Sequence, residues 1–179
     1  ERKLLLVSWY DKTDVRGVRL SFVDVTDANK PRYRHVLLVE PLRYRLVQTN
    51  EVRVARDGAV ATIWLDRPAK RNAMSYGMWV DLEGAATTLA TDPTVRVVVL
   101  RGASQHFCAG ADITELRADR KDGERSFSDV NGAAETALAN LPKPTVAYIE
   151  GDCIGGGCAM AIDCDLRIAT TSARLGITP

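Results

Sequence analysis

Twice along the chain a short β-branched run ends in a glycine-bearing turn and gives way to a helical stretch. Residues 95–100 lead into the turn 106–113, and residues 145–149 lead into the turn 151–158. A strand that feeds a helix in this way returns to the sheet as a parallel neighbour, because the crossover brings the chain back to the end it started from. The flanking segments extend the pattern. Residues 51–55 and 59–65 read as a hairpin around Arg56-Asp57-Gly58. Ser75 is placed to cap a helix running to about Ala90, with Met78, Leu82, Ala85, Ala86 and Leu89 on one face. The run 95–100 predicts a strand buried on both faces. A short helix is expected from Asp112, a longer one over 130–141, an apolar one ending near Ile162, and a strand over 166–169. Strand and helix alternate, so the fold class is α/β with short, mostly parallel strands and outer helices.

The first 45 residues differ in texture. Strands are expected over 3–10, 18–25 and 34–40, separated by turn clusters at 11–14 and 27–31. This segment carries a net charge of +4, against −3 for residues 46–179. Three strands make a meander too small for a core of its own. The domain reading is therefore a β-rich appendage over 1–45 and an α/β core over 46–179.

Composition narrows the partners. Apolar residues make up 46% of the chain and charged residues 26%, with a net charge of +1. That balance gives no reason to expect nucleic acid or an anionic membrane, and no apolar run approaches the roughly 20 residues of a membrane span. Cys108, Cys153, Cys158 and Cys164 form no CxxC pair, and the only histidines are His35 and His106. Buried free thiols in a reducing cytoplasm are expected, with no bound metal. Asp163 and Asp165 flank Cys164 but make a poor chelate.

The two turns carry the chemistry. Each presents backbone N–H groups at a helix start, where the first-turn donors lack partners and the dipole is positive. Two such turns converging can hold a carbonyl oxygen that gains negative charge. Neither is a phosphate-binding loop: Gly155-Gly156-Gly157 has no Lys-Ser/Thr after it and lacks GxGxxG spacing.

In order and spacing the chain resembles the crotonase, or enoyl-CoA hydratase/isomerase, superfamily. The resemblance is carried by Leu65-Asp66-Arg67-Pro68-Ala69-Lys70-Arg71-Asn72-Ala73-Met74, by Val97 to Gly102, and by Phe107-Cys108-Ala109-Gly110-Ala111-Asp112-Ile113. Pro142 to Ala147 and Gly151 to Asp165 continue it, so that it covers about residues 47–179, the N-terminal half of a family domain. The resemblance implies a spiral of ββα turns, C-terminally incomplete here, that binds an acyl-CoA thioester. It implies an enolate-type oxyanion held by the N–H groups of Ala111 and Gly156. Lys70, Asn72 and Ala73 match the loop bordering coenzyme A, and Asp112 and Ile113 match the edge of its adenine and thioester site. Coenzyme A enters as part of the substrate, with no separate cofactor. Family members form trimers or hexamers through C-terminal helices, which lie beyond the matched half.

The resemblance also has gaps. The two glutamates that family hydratases use as acid and base fall on Ala159 and Pro179, neither of which can carry a proton. Isomerase, decarboxylase or thioesterase-type chemistry is therefore expected ahead of hydration, with a non-catalytic acyl-CoA-binding or interaction fragment as the alternative. The nearby groups that could stand in are Asp112, Glu115, Glu150, Asp152 and Cys158. Each has a plainer reading: Asp112 as a helix cap, Glu150 and Asp152 as solvated turn residues, Cys158 as a small buried filler. His106 reads as an incidental loop residue. The charged run 117–125 reads as a solvated loop.

Overall fold

The computed structural model describes Leu4–Trp9, Arg19–Asp24, Arg32–Leu38 and Arg45–Leu46 in the first fifty residues, then 51–117 and 125–177. The chain divides into two compact units, residues 1–42 and 43–179. In the first, β1 (Leu4–Trp9), β2 (Arg19–Asp24) and β3 (Arg32–Leu38) form an antiparallel meander, with a register shift between Phe22 and Val23.

The second unit is built on a sheet that begins with β4 (Arg45–Leu46), β5 (Val52–Asp57) and β6 (Val60–Leu65). The hairpin turn is Gly58-Ala59, one residue later than the sequence suggests, with Gly58 at φ +52. A 3-10 turn, Pro68–Lys70, leads to α1 (Tyr76–Thr91), whose N-cap Ser75 accepts from the Met78 N–H at 3.2 Å. β7 (Val97–Gly102), α2 (Ile113–Leu116), α3 (Phe127–Ala139) and β8 (Thr145–Ile149) follow. The last elements are β9 (Asp152–Ile154), α4 (Gly156–Asp163), β10 (Leu166–Ala169) and β11 (Arg174–Gly176). The six-stranded sheet has the order β10-β8-β7-β6-β5-β4, with β10, β8, β7 and β6 mutually parallel. The expected α/β fold with a mostly parallel sheet is what forms.

Three elements depart from expectation. β7 starts at Val97, and its burial alternates: Val98, Leu100 and Gly102 are buried, whereas Val97, Val99 and Arg101 are half-buried. The core face packs Ile63, Leu65 and Leu100 toward Met78, Leu82 and Leu89 of α1. The other face carries a cross-strand row, Arg53, Trp64, Arg101 and Tyr148, adjacent by register. There the Arg101 guanidinium lies 4.3 Å from the Trp64 ring centre and 4.6 Å from that of Tyr148. A β-branched run thus serves a one-sided strand, because stacked long side chains half-cover its second face. α3 starts three residues earlier than expected, where Ser126 and Asp129 form a reciprocal capping box. β9 lies inside what reads as a bare turn and pairs in parallel with β11. Its three residues are too few to show a period, so only the pairing reveals it.

Among the described residues no helix is long and apolar enough to cross a membrane.

Candidate functional site

The site starts with the loop after β6. Arg71 and Asn72 adopt left-handed backbone, φ 50 and 57, a conformation that asparagine tolerates. Asn72 is fully buried. Its Oδ1 accepts from the Arg67 N–H at 2.9 Å, and its Nδ2 donates to the carbonyls of Ala103 at 2.9 Å and His106 at 2.7 Å. The side-chain amide therefore holds the frame of the loop. Lys70 is exposed and Ala73 half-buried on the same loop.

Met74 carries the loop to the first turn. Its N–H donates to the Gly110 carbonyl at 2.8 Å, and its carbonyl accepts from the Asp112 N–H at 2.9 Å. These two bonds flank Ala111 and make a parallel bridge with Met74. In such a bridge the middle residue's own N–H points away from the partner, so Ala111 turns its N–H to the opposite side.

Asp112 is 5% exposed. It caps α2, accepting from the Thr114 N–H at 3.0 Å and hydroxyl at 2.6 Å, and pairs with Arg67 Nη1 at 2.8 Å. The Thr114 hydroxyl first, then the Thr114 N–H and Arg67, outweigh burial and hold its carboxyl down at about 2. Arg67 also donates to the Ala73 carbonyl at 3.1 Å and pairs with Glu51 at 3.3 Å. Asp112 is thus the cap expected of it, but its side chain is spent on the turn. Ile113, the next residue, is 71% exposed.

The second turn lies alongside the first. Cys108 donates its N–H to the Asp152 carbonyl and accepts from the Ile154 N–H, both at 2.9 Å, which bridges Cys108 to Cys153. Gly155, at φ 52, donates to the Gly176 carbonyl at 2.9 Å, and α4 opens at Gly156. The two turns converge. A Cβ placed on Gly110 would stand 3.6 Å from the Gly156 nitrogen, and one placed on Gly156 would stand 3.8 Å from the Ala111 nitrogen. Among the described residues neither N–H donates to a backbone carbonyl.

The remaining polar groups are engaged. Glu115 accepts from the Tyr76 N–H at 2.9 Å, and Glu150 pairs with Arg101 at 2.8 Å. Asp152 reads from the sequence as solvated; the structure buries it. It pairs with Arg174 at 2.6 Å and Arg71 at 3.3 Å, because β9 draws it under the turn. His106 has a structural role: its Nδ1 accepts from the Asp152 N–H at 3.2 Å. Cys158 is the buried filler expected, with Sγ 2.7 Å from the Cys153 carbonyl oxygen. Burial pushes the Cys108 and Cys164 thiols up to about 12 and raises that of Cys153 further. Asp165 accepts from the Thr145 N–H at 2.8 Å and hydroxyl at 2.9 Å, which makes it a strand clasp. Among the described residues no group of three His, Cys, Asp or Glu side chains is placed to hold a metal ion. Ala159 lies in the first turn of α4, half-buried. Pro179 and residues 118–124 of the charged run lie outside the described residues; Arg125 at its end pairs with Glu83 at 2.7 Å. Sequence reasoning misses Arg67 and Met74, which bond to the first turn, and Trp79, whose ring lies beside the second. The first two stand inside the motif at 65–74, but nothing in a lone sequence marks them as braces.

The sequence profile described as Enoyl-CoA hydratase/isomerase matches residues 55–178. The short-chain-enoyl-CoA hydratase of Clostridium acetobutylicum is 33% identical over 141 residues, 74% of this chain and 54% of that protein. The peroxisomal Delta(3,5)-Delta(2,4)-dienoyl-CoA isomerase of Arabidopsis thaliana is 32% identical over 138 residues, 70% of this chain and 50% of that one. The crystal structure of an enoyl-CoA hydratase/carnithine racemase from Magnetospirillum magneticum superposes with a TM-score of 0.67 at 36% identity, covering 73% of this chain and 50% of that one. The chain spans about half the length of the curated relatives it matches.

Proposed function

The chain belongs to the enoyl-CoA hydratase/isomerase family, and on that premise we propose that it binds an acyl-CoA thioester and polarises its carbonyl through the N–H groups of Ala111 and Gly156. The observation that carries this reading is the convergence of the two turns, with Gly110 and Gly156 lacking the Cβ atoms that would fill the space between them. Donors fixed by backbone geometry stabilise a developing oxyanion without reorganising at the moment of reaction. The oxygen gains charge when a proton leaves the neighbouring carbon or when a nucleophile adds to the carbonyl. Lys70 on its exposed loop and Ala73 border the path of the coenzyme A moiety, and Ile113 offers an apolar wall. Coenzyme A belongs to the substrate, and the chemistry calls for no separate cofactor.

The reaction class follows from what Ala159 cannot do. Adding water to a double bond needs a positioned acid and base, each worth about 10²–10⁴-fold. Ala159 and Pro179 stand where the family's hydratases carry those groups, and Asp112, Glu115, Glu150 and Asp152 are engaged elsewhere. Isomerisation, decarboxylation or thioester hydrolysis in fatty acid metabolism fits better than hydration. The same engagement of every nearby carboxylate favours, as the second reading, a chain that binds acyl-CoA without turning it over. Four buried free thiols support a cytoplasmic setting, and a trimer or hexamer would follow the family pattern.

A crotonyl-CoA hydration assay beside a calorimetric titration with the same thioester tests the proposal. Binding with hydration near background is expected. Robust hydration would overturn the reaction class, and absence of binding would overturn the site.

A further inference from the structure

We infer that Trp79 is a positioning residue for the site: its ring sets where Gly156 lies relative to Ala111, so that one short stretch of chain, Met74 to Trp79, positions both turns. The inference rests on the reading of Ala111 and Gly156 as a donor pair. Three observations carry it. Met74 fixes the first turn through two backbone bonds, to Gly110 at 2.8 Å and from Asp112 at 2.9 Å. α1 begins immediately afterwards, with Ser75 as its cap and the Trp79 N–H bonded to the Ser75 carbonyl at 3.1 Å, so the geometry between residues 74 and 79 is rigid. Trp79 is fully buried, and its far ring edge meets the second turn: Cζ2 and Cη2 lie 3.3 and 3.6 Å from where a Cβ of Gly156 would stand. The ring edge and the Ala111 nitrogen therefore both lie on the side of Gly156 that a side chain would occupy, and the ring limits how far the second turn can move toward the first.

Packing alone is a poor reason for a tryptophan here. Its Nε1 is buried and has no hydrogen-bond partner among the described residues. A buried donor left unpaired is destabilising, and a purely aliphatic side chain would avoid that cost. What the indole supplies is reach, since no other side chain extends a flat, rigid edge so far from the helix axis. A displacement of about 1 Å in a reacting geometry can cost about 10²-fold, and the ring edge stands in the way of a shift of Gly156 toward it.

The test uses the full chain and cinnamoyl-CoA, whose conjugated thioester shifts its absorption to the red when its carbonyl oxygen accepts strong hydrogen bonds. Four proteins are compared at saturating ligand: wild type, Trp79→Leu, Trp79→Phe, and a variant with 3-benzothienylalanine at position 79, which keeps both rings but has no N–H. The wild type should show the red shift. Trp79→Leu and Trp79→Phe should lose at least half of it, with affinity falling about tenfold as the donor pair loosens. The benzothienyl variant should restore both. If Trp79→Phe folds and keeps the full shift, or if the benzothienyl variant does not restore it, Trp79 does not position the turn and the inference falls. A drop in melting temperature with an unchanged shift would mean that Trp79 only fills the core, which also overturns it. If the wild type binds cinnamoyl-CoA without any red shift, the donor-pair reading itself fails, and that outcome is recognised before any variant is compared.

Discussion

Around Gly110 the chain is fixed by charge: Asp112 is buried against Arg67, which also reaches the Ala73 carbonyl and Glu51. Around Gly156 it is fixed by close packing. Residues 154–159 carry no charged side chain, and they are held by Cys108, Trp79 and the Gly176 carbonyl. The two turns present the same group, a backbone N–H at a helix start, yet they differ in what disturbs them. The first should respond to pH and to loss of a partner charge, the second to added volume.

The largest effect is expected where packing is tightest. A Cβ on Gly157 would meet the Cys108 carbonyl oxygen at 2.5 Å and Cys108 Cβ at 3.0 Å. Both belong to the bridged strand segment, which cannot give way without dragging the first turn along. Gly157→Ala should cost about 3 kcal/mol, at the upper end of overpacking penalties, as read from urea unfolding. Gly84, exposed in α1 with nothing within 4 Å of where a Cβ would stand, is the control. Gly84→Ala should stabilise by about 0.5–1 kcal/mol through helix propensity. Equal outcomes at the two glycines would show that the second turn is not held by packing.

A smaller, pH-dependent loss is expected at the first turn. Asp112→Asn keeps a good helix cap but removes the charge facing Arg67, and should cost about 2 kcal/mol near neutral pH, somewhat less than breaking a fully buried pair. The sign of the pH dependence follows from the depressed carboxyl. Its folded value of about 2 lies below the ordinary 3.8, so its contribution is present above about 3.8 and is lost as pH falls through about 2. The gap between wild type and Asp112→Asn should therefore be full at pH 5 and close toward pH 2, measured by urea unfolding at each pH. A gap that stays constant across that range would mean that the Asp112 charge is not what fixes the turn.

How far each turn is legible in the sequence follows the same division. Asp112 as a cap and Ser75 as an N-cap can be read because capping is local, decided within three residues. Strands 145–149 and 166–169 can be read to the residue, because their apolar runs are bounded by prolines, turns or helix ends. What cannot be read depends on contacts far apart in sequence. Asp152 looks like a polar turn residue until β9 pairs with β11 and draws it under Arg174. That the Asn72 amide holds the carbonyls of Ala103 and His106, more than thirty residues on, is likewise invisible in its own motif. Trp79 stands three and seven residues before Leu82 and Ala86, on the edge of the apolar face of α1; what the sequence cannot show is that its ring reaches the start of α4.

The smallest effect tests whether the contrast extends to the start of the second turn, where charge does occur. Asp152 is buried, with Arg174 at 2.6 Å and Arg71 at 3.3 Å, but the two arginine side chains are 68% and 64% exposed. Pairs made by exposed arms are weakened by solvent and by the entropy of fixing a long side chain, and each is worth about 0–1 kcal/mol. Arg174→Ala should therefore cost no more than about 0.5–1 kcal/mol, and the difference should shrink in about 0.5 M salt, where the Debye length is only about 4–5 Å. Arg71→Ala together with Arg174→Ala should cost more than the separate losses, because the double variant leaves only His106 beside a buried carboxylate. Urea unfolding of the three variants at low and high salt measures all of this. A single loss above about 2 kcal/mol that salt does not reduce would place Asp152 with Asp112, as an anchor in its own right. Both turns would then be held by buried charge, and the difference between them would lie only in the uncharged stretch that follows.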